Sequence, residues 1–293
     1  MCGIVGFAAK GSENRLRLGE FVTPMLSCMG DRGPDSAGIA IFSDIPNRSL
    51  YQYSLFSDEE GIEWDGLFDV FDDAKIESIG RHATLSTRHS PDHVREVFSG
   101  IPSHINTFGF GRSMRIFKDA GHPDELIATY QINKLKRSHC IGHTRMATES
   151  AVTPAHSHPF AAGPDFCIVH NGSISNPWQI RRRLRHFGIQ FDTDNDTEVA
   201  ARYLQWRMSE GDTLEVAIAE AFRELDGFFT LLIGTMNRMV LVRDAFACKP
   251  AVAAETDDYI AIGSEFRTLA HLPGIEHANL FEPNPEEVYS WSI

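Results

Sequence analysis

Cys2 stands directly behind Met1 in MCGIVGFAAK, the opening of this 293-residue chain. Removal of Met1 would place its thiol beside a free α-amine with a pKa of roughly 7.7–8.0, partly unprotonated near neutral pH. Such an amine can be the general base that activates a neighbouring side-chain nucleophile. A small apolar residue opening a buried strand is the other reading of the same stretch. A thiol that attacks an acyl carbon generates an oxyanion, which needs donors aimed at it in advance. His170-Asn171-Gly172 supplies the Asn171 side-chain amide and the Gly172 N–H, the glycine allowing close backbone approach. An Asn-Gly hairpin turn also accounts for that tripeptide.

Two further segments offer charges suited to the two ends of an amino acid. HTRMAT contains Arg145, a rigid fork for a carboxylate, with the Thr148 hydroxyl close by; a surface arginine is the alternative. TDNDTE places Asp194, Asp196 and Glu198 at a helix entrance, where acids usually cap or complement the helix dipole. One of them could instead hold a substrate ammonium. A carboxylate-binding arginine with an ammonium-binding aspartate describes an α-amino acid as ligand. His156 and His158 in HSHP are spaced like metal ligands but have no third partner at an obvious spacing, so no metal is expected. Arg243-Asp244 near Lys249-Pro250 reads as a structural ion-pair loop.

Elements must bring these residues together. Residues 2–9 form a short apolar run ended by Lys10-Gly11, the pattern of a buried strand. Residues 16–29 have helical spacing with Pro24 inside, residues 30–38 form a loop dense in turn formers, and residues 39–42 form a second strand. The stretch from about 44 to 138 mixes weak strand and helix signals, with a helix start at Pro123 leading into 126–130. Residues 166–169 read as a strand running into a polar turn at 170–172. A helix at 177–187 carries a basic outer face of Arg181, Arg182, Arg183 and Arg185. Helices at 196–208 and 214–224 follow, then strand pairs at 228–234 with 239–243 and at 251–254 with 259–262. Strand pairs alternating with helix pairs suggest stacked antiparallel sheets covered by helices.

Composition narrows the class. A net charge of −13 argues against a nucleic-acid surface. Five scattered cysteines without a C-x-x-C pair indicate neither a disulfide framework nor a zinc knuckle, and a reduced cytoplasmic setting is expected. No secretory signal and no run of roughly 20 apolar residues is present, so no membrane association is expected.

Taken in order, CGIVG, RGPDSAG, GHTRMAT with His158-Pro159, HNG, DTE, and the later RD…KP and SE elements resemble the class II glutamine amidotransferases, the N-terminal-nucleophile glutaminases. The resemblance runs from Cys2 to about Leu269. It implies an α+β fold, a four-layer αββα sandwich of two antiparallel sheets, forming a single domain over 1–293 with an insertion at about 44–138. It implies hydrolysis of glutamine to glutamate and ammonia, with Cys2 as nucleophile and Asn171 and Gly172 as the oxyanion hole. Arg145 and Thr148 would bind the α-carboxylate, Asp196 the α-ammonium, His158 would line the pocket, and Arg32 would frame the nucleophile. Glu149 departs from the pattern, standing where some relatives carry a carboxylate-binding histidine.

The chain ends soon after SE, and its joined motifs look closest to the stand-alone glutaminase subunit of glutamate-synthase-like systems. That implies a hetero-oligomer in which a glutamate-synthase-like or N-methylglutamate-synthase-like subunit receives the ammonia. Any FMN and iron–sulfur centres would belong to that partner, with no cofactor in this chain. Two other classes remain: a self-sufficient amidase of the same fold acting on a γ-glutamyl or peptide amide, and a non-catalytic regulatory subunit, against which the intact Cys2, Asn171, Gly172 and Asp196 set argues.

Overall fold

The computed structural model describes residues 2–43, 49–59, 61–100, 105–147 and 151–293. In chain order the elements are β1 (Gly3–Ala9), α1 (Ser12–Leu16), α2 (Leu18–Cys28), β2 (Ser36–Phe42), β3 (Tyr51–Ser57), β4 (Lys75–Ile79) and β5 (His82–Thr87). There follow α3 (Pro91–Gly100), β6 (Ile105–Gly111), β7 (Met114–Ala120), α4 (Pro123–Thr129), β8 (His139–Arg145), β9 (Phe160–Gly163) and β10 (Phe166–Ile174). The last third holds α5 (Pro177–His186), α6 (Asp196–Ser209), α7 (Leu214–Glu224), β11 (Gly227–Thr235), β12 (Arg238–Arg243), β13 (Val252–Glu255), β14 (Tyr259–Gly263), β15 (Asn279–Phe281) and β16 (Tyr289–Ser292).

Two antiparallel sheets make the body. One runs β15-β13-β14-β1-β8-β2-β7 and the other β16-β12-β11-β10-β9. Their facing sides share a core in which Ile4, Phe42 and Ile141 meet Val169, Leu232 and Leu241. The outer face of the first sheet packs Phe7, Ile39 and Tyr259 on Leu18, Val22 and Leu26 of α2. The outer face of the second packs Ile168, Leu231 and Val240 on α5, α6 and α7 through Leu184, Leu204 and Ile218. The order helix, sheet, sheet, helix is the expected αββα sandwich. β1 is apolar at every position because both of its faces are buried in this stack.

The stretch from 44 to 138 divides between two sheets. β7 joins the first sheet beside β2, while β4-β5-β3-β6 form a separate four-stranded sheet with its own core of Tyr53, Leu55, Phe71 and Leu85. The Asp165 carboxylate ties the β6–β7 turn to the β9–β10 turn by accepting from the N–H groups of Arg112, Ser113 and Met114, the nearest contacts at 2.8 Å.

Several sequence expectations shift by identifiable causes. The helix expected over 16–29 is α2, Leu18–Cys28 with Pro24 inside it, and a separate short helix, α1, precedes it and ends at Leu16. β2 begins at Ser36 rather than residue 39, because Ser36 through Phe42 pair with both β7 and β8. The strand expected to stop at 169 continues through 170–172 to Ile174, paired residue for residue with β11. Arg181 is not on the outer face of α5: it is buried, donating to the Thr193 and Asn195 carbonyls at 2.7 and 3.2 Å. Arg243 and Asp244 do not pair with each other; Arg243 donates to the Pro283 and Ala247 carbonyls, and Asp244 accepts from the Phe229 and Phe246 N–H groups. Among the described residues no helix is long and apolar enough to cross a membrane.

Candidate active site

The site forms where matching ends of the two stacked sheets meet. β1 pairs with β8 in a register that sets Gly3 opposite Thr144, so Cys2 emerges beside Arg145. The half-buried Cys2 thiol faces the Met146 carbonyl at 3.9 Å. Two side chains hold the Cys2 carbonyl: Arg32 Nε donates at 2.9 Å and Asn171 Nδ2 at 3.2 Å. The latter bond crosses from one sheet to the other and places the amide of β10 against the thiol-bearing residue. An Asn NH₂ carries two hydrogens, so one remains for another acceptor.

Arg32 is itself fixed. Its guanidinium pairs with Glu265, which also accepts from Arg267 Nε at 2.6 Å, while Arg267 reaches Asp31 at 2.9 Å. The hydrogen bonds from Arg32 hold the Glu265 carboxyl below its usual range. Ser264 beside it exchanges bonds with Ile4, its hydroxyl accepting from Ile4 N at 2.9 Å. The RGPDSAG loop thus clamps the start of β1. It clamps the end of β8 as well: Asp35 N donates to the Arg145 carbonyl at 3.0 Å and the Asp35 carboxylate accepts from Ala147 N at 2.7 Å.

Arg145 is buried and donates to the Ala151 carbonyl at 3.0 Å. Thr148 and Glu149 lie outside the described residues. Gly172 sits in β10 with φ near 154°, where a Cβ would collide with the Phe228 carbonyl oxygen, so only glycine lets β10 and β11 close at this point.

Asp196 opens α6, whose N-cap is Asn195, the side chain accepting from Thr197 N at 2.8 Å. Asp196 accepts from Ile174 N at 2.9 Å and lies 3.7 Å from His170 Nδ1. Burial works against its ionisation, but His170, the Ile174 N–H and the Thr197 hydroxyl outweigh it and draw its pKa down to about 2. The carboxylate is therefore charged throughout the physiological range.

Beneath Asp196 the Thr197 hydroxyl is a junction, 2.7 Å from His158 Nε2 and 2.9 Å from His170 Nδ1. His158 is buried and its ring lies 4.0 Å from that of His143. Burial, reinforced by the neighbouring histidines, holds His158 well below its usual pKa and so neutral, and holds His143 down to about 3. His158 therefore supports the acidic loop from below. His156 turns to Asp194 at 3.0 Å, so the two histidines of HSHP serve separate partners.

Cys2, Arg32, Arg145, Asn171, Gly172 and Asp196 are thus drawn to one end of the sandwich. Sequence reasoning gave no role to Glu265, Asp35 or Thr197. Each lies inside a segment already singled out (SE, RGPDSAG and DTE), which is the signal that could have found it.

Comparison with known proteins gives the family. A glutamine amidotransferase domain model matches residues 143–271. The chain is 44% identical to the glutamine amidotransferase-like protein GlxB of Rhizobium meliloti, covering 99% of this chain and 98% of that protein. It is 31% identical to a putative glutamine amidotransferase of Methanothermobacter thermautotrophicus, covering 99% of each. In architecture it is similar to glutamine phosphoribosylpyrophosphate amidotransferase from B. subtilis, with a TM-score of 0.64 at 18% identity over 99% of this chain and 47% of that one. With relatives of that identity spanning both chains end to end, this protein belongs to the class II glutamine amidotransferase family.

Proposed function

We propose that this chain hydrolyses glutamine through a Cys2 thioester and passes the ammonia to a separate synthase subunit. The observation that carries the reading is the Asn171–Cys2 hydrogen bond, which supports a nucleophile and an oxyanion donor acting on one acyl group. The α-amine of Cys2, freed by removal of Met1, takes the thiol proton as Sγ attacks the amide carbon of glutamine. The same proton passes to the departing nitrogen, and ammonia leaves as the thioester forms. Water then attacks the thioester, releasing glutamate and restoring the thiol. Asn171 Nδ2 and Gly172 N would hold the oxyanion in both steps, Arg145 and Thr148 the α-carboxylate, and Asp196 the α-ammonium.

The spacing supports this assignment. Asn171 and the Ile174 N–H that anchors Asp196 are three residues apart on β10, roughly 10 Å of strand. An extended glutamine with a hydrogen bond at each end spans about that length. His158, buried behind Thr197, would act by holding Asp196.

The acceptor we propose is a glutamate-synthase-like or N-methylglutamate-synthase-like subunit, with any flavin and iron–sulfur centres on that partner. Exposed apolar side chains border the site and support a docked neighbour. Met146 and Val152 flank the Arg145 segment, Phe228 adjoins Gly172, Phe246 lies on the Asp244 loop that holds Phe229 N, and Phe266 follows Glu265.

The test is chemical. Active protein should have the mass of the chain without Met1. A diazoketone analogue of glutamine should label Cys2 and spare the other four cysteines, and Cys2→Ser should fold but not turn over. Full activity from protein that retains Met1, or from Cys2→Ser, would refute the mechanism.

A further inference from the structure

Lys118 on β7 is 3% exposed, and no carboxylate among the described residues pairs with it. Its Nζ donates instead to three backbone carbonyls of one turn: Ser157 at 2.9 Å, Ala155 at 3.4 Å and Pro159 at 3.4 Å. Two rings complete the seat, with Nζ 4.3 Å from the centroid of Phe108 and 4.8 Å from that of Phe160. Three carbonyl acceptors on one nitrogen match the three hydrogens of an ammonium, and aromatic faces favour a cation. A buried lysine with no acidic partner is an expensive feature in a fold. Burial draws its pKa down to about 7. Any apolar residue of similar length would fill the same space without that cost.

What the ammonium gathers is the segment that holds the acidic loop. From this turn His156 reaches Asp194 at 3.0 Å and His158 reaches Thr197 at 2.7 Å, on either side of Asp196. Thr197 Oγ1 in turn lies 3.3 Å from Asp196 Oδ1. β7 and Phe108 of β6 come from the stretch between 44 and 138, so Lys118 links this stretch to the turn behind the candidate site.

We propose that Lys118 is a positioning residue: its ammonium fixes the 155–159 turn, and through His156 and His158 sets the place of Asp196 against the α-ammonium of the substrate. The proposal rests on the glutaminase reading of the site. It deepens that reading by making ammonium recognition at Asp196 depend on a buried lysine behind the turn that supports it.

The test compares glutamine with 4-carbamoylbutanoate, the same amide without an α-ammonium. In Lys118→Met, KM for glutamine should rise about tenfold with kcat little changed, the coupling expected within one hydrogen-bond network. KM for 4-carbamoylbutanoate should stay at the wild-type value. Phe108→Leu removes one ring from the seat without stranding a polar group, and should show the same split at smaller size if Lys118→Met does not fold. Cys2 in both variants should react with iodoacetamide at the wild-type rate. Equal KM increases for the two amides, or unchanged KM for glutamine in the folded variants, would overturn the proposal while leaving the glutaminase reading intact. A wild type that turns over no glutamine would overturn both.

Discussion

The Cys2 carbonyl is held by two side chains, and their roles separate on inspection of what else each can reach. Arg32 is locked to Glu265 and Cys2, so it frames the proposed nucleophile. Asn171 spends one N–H on the carbonyl and keeps a second, which the proposed mechanism gives to a substrate oxygen. Asn171→Ala should therefore leave the thiol in place, still tethered through Arg32, while kcat falls by roughly 10²–10³, the loss on removing one oxyanion donor. KM for glutamine should move much less, because that bond strengthens in the transition state. A raised KM with unchanged kcat would make Asn171 a binding residue. At the other end, Asp196 is kept ionised by donors that its Asn isostere would repel in part. Asp196→Asn should weaken glutamine by on the order of 2–5 kcal/mol, as when one member of a desolvated charge pair is truncated. Wild type should correspondingly discriminate against N-acetylglutamine. Equal kcat/KM for the two amides would release Asp196 from ammonium recognition and favour the self-sufficient amidase.

β10 shows what sequence conveys about an element and where it stops. Residues 166–169 are apolar and read as strand, whereas His170-Asn171-Gly172 have the composition of a turn. They stay extended because β11 pairs with them as far as Gly227 and because His170 Nδ1 and Asn171 Nδ2 find partners on other elements. That pairing depends on contacts more than 50 residues away, which no local pattern encodes. The helices α6 and α7 were legible almost to the residue, since apolar spacing and the Asn195 and Thr213 caps are local signals. Arg181 and Lys118 were not, because burial of a charge depends on distant carbonyls. Buried histidines on the strands carry a further consequence. His82 of β5 and His143 of β8 are held neutral by burial, at about 4 and about 3, and His158 well below 6.5. Folded pKa values below the unfolded value mean that the unfolded chain binds the extra protons. Their contribution is complete above pH 6.5 and is lost as pH falls, by about 1.4 kcal/mol per unit for each histidine. The urea midpoint should therefore drop steeply between pH 6.5 and 5, before most carboxylates titrate. His82 is ringed by Phe56, Phe108, Phe117 and Tyr130, so His82→Phe should fit and flatten that slope by about one proton. An unchanged slope would show that His82 is protonated in the fold.

At the scale of the whole molecule, a chain with a net charge of −13 exposes apolar side chains on segments that adjoin the candidate site. Phe246 is the extreme case at 78% exposed, on a loop whose Asp244 holds both Phe246 N and Phe229 N, the latter directly across from Gly172. Met146, at 48%, follows Arg145 and its carbonyl faces the thiol. Exposed apolar groups on these segments are the feature by which the proposed acceptor subunit would dock. An ammonia-producing site gains from such a cover, because a docked acceptor would keep the product from bulk water. Association at this rim would be driven by apolar burial rather than by charge steering, so it should weaken little with added salt. Phe246→Asp should then leave glutamine hydrolysis by the isolated chain unchanged, since the side chain points to solvent and touches no residue assigned to the chemistry. With the proposed synthase subunit, if one co-purifies from the native host, the same substitution should abolish both binding and any stimulation of glutaminase activity. Calorimetric titration at low and high salt, with activity measured on the same samples, separates the two contributions. Normal stimulation of Phe246→Asp by that subunit would move the docking face away from this rim and leave the exposed aromatic without a role in ammonia transfer.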